Sequence, residues 1–118
     1  MQNFRDFKVW AKAHALALSI YESTEVFPAA ERFGLTSQMR RAAASVPTNI
    51  AEGCVRSSKA DFGRFLYMAI GSASELEYLV LLARDLRMLS AAKHDGLTAN
   101  VQEVKRMLAG LIARTRTV

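Results

Sequence analysis

SKADFGRFLYMAIGSASELEYLVLLARDLRML, residues 58–89, carries apolar side chains at Phe62, Phe65, Leu66, Ala69, Ala73, Leu76, Leu79, Val80, Ala83 and Leu86. Steps of three and four sustained over this distance describe one face of an α-helix, and no period-two alternation competes with them. Ser58 stands where a capping hydroxyl accepts from the amide of Asp61, and the Asp61 carboxylate can reach back toward it. The stretch predicts one helix over about 58–89 whose stripe runs for about 28 residues, or roughly 42 Å at 1.5 Å per residue. A helix of that length sets the length of the domain.

Working outward, Gly34-Leu35-Thr36 offers a break and an N-cap, and a helix over about 37–53 follows with Met39, Ala42, Val46 and Ile50 on its inner stripe. Pro47 falls inside that pattern. It removes one backbone donor and crowds the carbonyl four residues back, so a kink is expected there with helix on both sides. The first helix spans about 6–26: Lys8, Lys12, Ser19 and Glu22 form one narrow polar stripe, and Phe27-Pro28 stops it. The last spans about 91–114, with Ser90 as cap and Leu97, Val101, Val104, Leu108 and Leu111 facing inward. Four helices joined by short connections pack as a single all-α domain, an antiparallel up-down-up-down bundle. Small residues at Ala42, Ala43, Ala44, Ser45 and Ala51, and at Gly71, Ser72, Ala73 and Ser74, let axes approach closely.

The chain has 118 residues and a formal charge of +5, from 16 Lys+Arg against 11 Asp+Glu. About half of it is apolar, which excludes disorder as its description. No apolar run reaches the roughly 20 residues of a membrane span, and no secretory signal is visible, so a cytoplasmic protein without membrane contact is expected. Cys54 is the one cysteine, which excludes disulfide scaffolds and Cys-rich metal folds. Residues 1–57 carry seven Lys/Arg against five acids and residues 58–118 nine against six, so the positive charge has no tail. Such an excess favours polyanions as partners without requiring them.

More apolar surface is present than one bundle can bury. The first helix adds Trp10, Ala17, Leu18 and Tyr21 to its Val9, Ala13, Leu16, Ile20 stripe, and the third adds Tyr67, Met68, Tyr78, Leu81 and Leu82. A homo-oligomer that buries part of both helices is expected.

Asn49 and Glu52 are three apart on one helix, Glu75 lies mid-way along its antiparallel neighbour, and Arg41 is upstream. These four residues suggest a buried polar network that fixes helix register. A bundle-type carboxylate metal site would need Glu-x-x-His repeats, which the sequence lacks. His14 and His94 have no companion at ligand spacing, so packing or surface roles are expected for both. Cys54 has no histidine in fixed relation, and neither a Gly-x-Ser-x-Gly elbow nor a phosphate-cradling glycine loop exists. No enzyme, metal or cofactor is expected. The remaining candidates are basic: Arg40, Arg41, Arg56, Lys59, Arg64, Arg84 and Arg87, which could contact phosphates by charge and by the guanidinium fork. Pairs such as Asp61 with Arg64 and Glu52 with Arg56 offer instead a solvated, salt-bridged face. Phe and Tyr sit mainly on core stripes, so no aromatic platform for bases is expected.

The start Phe4-Arg5-Asp6-Phe7-Lys8-Val9-Trp10, the core Ser45-Val46-Pro47-Thr48-Asn49-Ile50-Ala51-Glu52-Gly53 and the run Gly71-Ser72-Ala73-Ser74-Glu75-Leu76-Glu77 resemble a known family. These are the four-helix bundle proteins named after intervening sequences in bacterial 23S ribosomal RNA genes. The resemblance implies an antiparallel four-helix bundle, a ring-like homopentamer and no enzymatic activity. The family also resembles the accessory protein of diversity-generating retroelements, a basic pentameric barrel that binds nucleic acid and a reverse transcriptase. Two readings stay open at this stage. One is a non-catalytic oligomer that binds RNA or DNA, structured RNA above all, and the other is a scaffold that presents its ring to another protein.

Overall fold

The Ser58 hydroxyl accepts from the Asp61 amide at 3.1 Å, and the long helix starts at that bond. In the computed structural model, which describes residues 2–116, the helices are α1 (Lys8–Thr24), α2 (Leu35–Gly53), α3 (Lys59–Asp85) and α4 (Ala91–Thr115). Short 3-10 turns at Phe4–Asp6 and Ala29–Glu31 precede α1 and α2. Each helix packs on the next, and α4 closes back on α1. Residue pairs fix the directions: Ser45 meets Ser72 while Gly53 meets Phe62 and Phe65, so α2 and α3 are antiparallel. Glu77 meets Lys105 and Gly63 meets Thr115, so α3 and α4 are antiparallel as well. The result is an up-down-up-down bundle of 48 × 23 × 19 Å.

The inner stripes are local consequences of 3.6 residues per turn, and most fall where the periodicity puts them. Met39, Ala42, Val46 and Ile50 are buried, as are Leu66, Ala69, Ala73, Leu76, Val80 and Ala83. Two positions differ from expectation. Leu86 is 52% exposed because α3 has already ended at Asp85, and Ile112 is buried in α4 where Leu111 is only half-buried. By length and composition α3 alone among the described helices could cross a membrane, but its stripe packs on α2 and α4.

The helix ends shift for identifiable reasons. α1 begins at Lys8 because Asn3 caps the preceding turn, its side chain accepting from the Arg5 amide at 3.0 Å. α1 stops at Thr24, whose hydroxyl bonds back to the Ile20 carbonyl at 2.8 Å. α2 starts at Leu35, two residues earlier than expected, since the Glu31 carboxylate accepts from the Leu35 amide at 3.1 Å. Gly34 leaves room for that cap: a Cβ there would stand 2.9 Å from the carboxylate oxygen and displace it. At the end of α3, Arg87 takes φ 63°, Met88 donates to the Ala83 carbonyl at 2.8 Å and Arg87 to the Arg84 carbonyl at 2.9 Å. This is the Schellman arrangement with an arginine where glycine is usual.

α2 continues through the buried Pro47 with helix on both sides. Next to it, Thr48 donates to the Ala44 carbonyl at 2.7 Å and Asn49 to the Ser45 carbonyl at 2.9 Å. Side-chain donors thus reinforce the ladder beside the amide that proline removes.

Candidate nucleic-acid interface

Antiparallel packing divides the seven basic residues of the sequence reading. Arg56, Lys59 and Arg64 lie at the end built by the α2–α3 turn, the N-terminal turn and the C-terminus of α4. Arg84 and Arg87 lie toward the opposite end, and Arg40 and Arg41 sit in the first half of α2 on that side. Arg64 and Arg84 are about 30 Å apart along α3 at 1.5 Å per residue. The seven do not form one contiguous site.

Their partners differ as much as their places. Arg40 clamps α1 to α2: its Nε donates to the Thr24 hydroxyl at 2.8 Å, its Nη2 to the Tyr21 carbonyl at 3.2 Å, and its guanidinium lies 4.8 Å from the Tyr21 ring centroid. Arg84 pairs with Asp85 at 3.0 Å, and the Arg87 backbone makes the turn that ends α3 while its side chain is exposed. Arg41 and Lys59 are exposed. Arg56 and Arg64 share one support, because their guanidinium carbons lie 4.4 and 4.7 Å from the Phe65 centroid and both face Asp61, at 4.0 and 2.9 Å. The Asp61 carboxylate therefore turns to the arginines instead of closing the expected capping box. Two forks held in advance lose less freedom on meeting a phosphate than free side chains would.

Three residues outside the sequence reading complete this end. Arg5 stands over the Phe4 ring at 4.5 Å, Arg116 hydrogen-bonds the Tyr67 hydroxyl and lies over its ring, and Arg114 is in the last turn of α4. With Lys8, seven cations (Arg5, Lys8, Arg56, Lys59, Arg64, Arg114, Arg116) face three acids (Asp6, Glu52, Asp61) here. The other nine Lys/Arg meet eight acids. Nearly all of the net charge of +5 is thus gathered at one end of the bundle. Counting by sequence halves hides this, whereas the antiparallel order with Arg114 and Arg116 in the closing turn would have signalled it.

A basic end on an antiparallel bundle of this length can be set beside known proteins. The family model described as 23S rRNA-intervening sequence protein matches residues 5–110. The chain belongs to this family. A crystal structure from Bacteroides thetaiotaomicron, of a protein of unknown function from the S23 ribosomal protein family, superposes with a TM-score of 0.82. It is 24% identical and covers 89% of this chain and 95% of its own, a likeness that shows the fold. No curated protein matches the chain.

In this member of the 23S rRNA-intervening sequence protein family the polar network differs from the expected one. Arg41, Glu52 and Glu75 are exposed in the single chain, and only Asn49 of the four is buried. A step of three leaves Glu52 about 60° round the helix from Asn49, enough to carry it off the packed face. The network that does form links Asn49 to the Ser45 hydroxyl at 3.0 Å and Ser45 to Ser72 at 2.8 Å, joining α2 to α3.

Among the described residues no group of three His, Cys, Asp or Glu side chains could hold a metal. Cys54 is buried, and that burial pushes its thiol above its ordinary pKa, away from the thiolate a nucleophile needs. His94 bonds Asp95 at 2.9 Å and faces the Thr98 hydroxyl at 3.3 Å, while His14 stacks on Trp10.

Proposed function

We propose that this protein is a non-catalytic, homo-oligomeric nucleic-acid-binding protein of the cytoplasm that holds structured RNA through its basic end. The observation that carries the reading is the concentration of seven cations against three acids at one end, with two guanidinium groups fixed on one ring and one carboxylate. Phosphate oxygens are the partners that such fixed forks suit. Arg56, Lys59 and Arg64 carry the contact, with Arg5 and Arg116 beside them. Arg41 and Arg87 add exposed cations elsewhere, and Arg40 and Arg84 serve chiefly the fold.

Self-association, as a pentamer in the form the resemblance implies, would repeat this end several times and strengthen each weak contact. It is supported by α3, where Tyr67, Met68 and Tyr78 are exposed around Gly71, which has open space beside it. Glycine inside a helix costs about 1 kcal/mol relative to alanine, a cost that close approach of another copy would offset. The same surface supports the second reading, a scaffold that engages another protein and has no nucleic-acid role.

The test is binding of a structured ribosomal RNA fragment and a scrambled control of equal length, from low to physiological salt, with oligomer mass measured in the same buffer. The nucleic-acid reading expects the structured fragment to remain bound when the scramble has left. Equal loss of both would favour the scaffold.

A further inference from the structure

We infer that the hollow where α2 begins binds a phosphomonoester, a phosphate group with close to two negative charges and three acceptor oxygens. The inference goes beyond the nucleic-acid reading and stands apart from it, because the 19 residues of α2, about 28 Å, separate this hollow from the basic end. It starts from Thr36. That residue is only 8% exposed and lines the hollow, yet among the described residues no group bonds its hydroxyl, which keeps contact with the surface there. Polar side chains this deep are normally paired, and here the acceptor has to come from outside the chain.

The groups around that hydroxyl are donors. Arg32, Arg40, Arg41, Thr36 and Ser37 line a hollow of about 430 Å³, and no carboxylate lines it. The neighbouring acid, Glu31, is turned to the Leu35 amide, which it caps at 3.1 Å. The amides of Thr36 and Ser37 have no acceptor, since the ladder of α2 starts with Gln38 donating to the Gly34 carbonyl at 3.0 Å. Arg32 and Arg41 are exposed and donate to no protein oxygen among the described residues. Arg40, fixed through Nε and Nη2, has Nη1 left over. The Phe33 and Tyr21 rings support two of these cations, with the Arg32 and Arg40 guanidinium carbons 5.3 and 4.8 Å from their centroids.

Charge and shape then select the ligand. Three guanidinium groups with no carboxylate among them suit two negative charges. Guanidinium, hydroxyl and amide donors in one place suit a tetrahedral group with three acceptor oxygens better than a planar carboxylate or a diester with two. The positive end of the α2 dipole adds to the same field.

The probe is inorganic phosphate, added to the isotope-labelled full chain at constant ionic strength with chloride as the reference salt, and followed through the backbone amide resonances. The Thr36 and Ser37 amides should shift saturably. Arg41→Ala, a change at an exposed side chain, should weaken that response about tenfold, and Arg64→Ala at the basic end should leave it unchanged. Thr36→Val removes the hydroxyl at nearly constant volume and should weaken it about tenfold as well, whereas Thr36→Ser, which keeps the hydroxyl, should retain it. Adenosine monophosphate against adenosine, and a short RNA with a 5′-phosphate against the same strand without one, separate the two sources of the group. A response at Thr36 to the mononucleotide supports a free ester, and a response to the phosphorylated strand alone supports a strand end. Phosphate shifts confined to the basic end, or shifts at Thr36 that survive both Arg41→Ala and Thr36→Val undiminished, would overturn the site and leave the nucleic-acid reading standing.

Discussion

The two ends of the bundle carry the same kind of residue for different purposes. At the end of α3 near α4, Arg84 is held by the adjacent Asp85 and Arg87 completes a backbone turn at φ 63°. At the α2–α3 end, Arg56 and Arg64 rest on Phe65 and share Asp61, which leaves positive charge uncompensated and already oriented. Arginine is therefore informative about function only once its partners are known. An arginine can close a helix with its backbone, join two helices through its guanidinium or hold that group ready for a phosphate, and residue counts do not separate these roles.

The comparison breaks most directly by changing one end at a time. Lys59→Ala with Arg64→Ala should weaken structured-RNA binding on the order of 100-fold and reduce the slope of log K against log salt by about 2, one for each phosphate left without its cation. Arg84→Ala with Arg87→Gly should leave both within a factor of about three. The second pair should also raise stability slightly, because a non-glycine residue in the left-handed region costs about 1 kcal/mol or more that glycine avoids. Salt titrations and chemical denaturation of the two double variants check this. Equal losses of binding from both would mean that total charge, not its placement, governs the interaction.

Two glycines sharpen the contrast between a surface that is closed and one that is open. A Cβ at Gly53 would lie 3.0 Å from both Phe62 Cδ1 and Phe65 Cβ, and the latter cannot retreat without moving α3. Gly53→Ala should cost about 1–3 kcal/mol and disturb the ring on which Arg56 and Arg64 rest. A Cβ at Gly71 would meet nothing within 4 Å, so Gly71→Ala should stabilise the isolated chain by about 0.5–1 kcal/mol. If it instead dissociates the oligomer, measured by mass in solution, another copy approaches α3 at that point. Unchanged mass would place the self-association surface elsewhere.

The sequence made some of this plain and hid the rest, for physical reasons. Helix faces are local: Phe62 through Ala83 repeat with the helical period, and any partner must cover that stripe. The Ser58 and Ser90 caps are equally local, since each hydroxyl reaches an amide three residues on. The end of α3 was hidden because Arg87 fills a position where glycine is the usual signal. The Asn49–Ser45–Ser72 link was hidden because two short hydroxyl residues look like small-residue packing until α2 and α3 are set side by side. The basic end required Arg5, Arg56 and Arg116, far apart in sequence, to meet in space, and the sequence shows Trp10 only as surplus apolar surface and His14 as a packing or surface residue, not the stack they form. The family resemblance rested on local motifs, and it was legible for the same reason as the helices.

Between the two ends lies an ion pair that should affect neither. Lys105 donates to Glu77 at 2.9 Å and Gln102 to its other oxygen at 3.1 Å, holding α3 to α4. The Lys105 bond is the main cause that lowers the Glu77 carboxyl below its ordinary value. A carboxyl whose folded pKa is depressed adds stability above its unfolded pKa, roughly 4.3, and that contribution is lost as the pH falls through the folded value. Glu77→Gln should therefore cost about 0.5 kcal/mol near pH 7, since both side chains are partly exposed, and nothing once wild-type Glu77 is itself protonated. Denaturation of the two proteins at neutral pH and at successively lower pH makes the comparison, the difference shrinking to nothing as the pH falls through the depressed folded value. RNA affinity at neutral pH should be unchanged, because the pair lies away from the basic end and its removal leaves the cations there in place. A loss of affinity in this variant would mean that α4, which brings Arg114 and Arg116 to the basic end, is positioned through the pair. Charge placement at that end would then depend on an ion pair in the middle of the bundle.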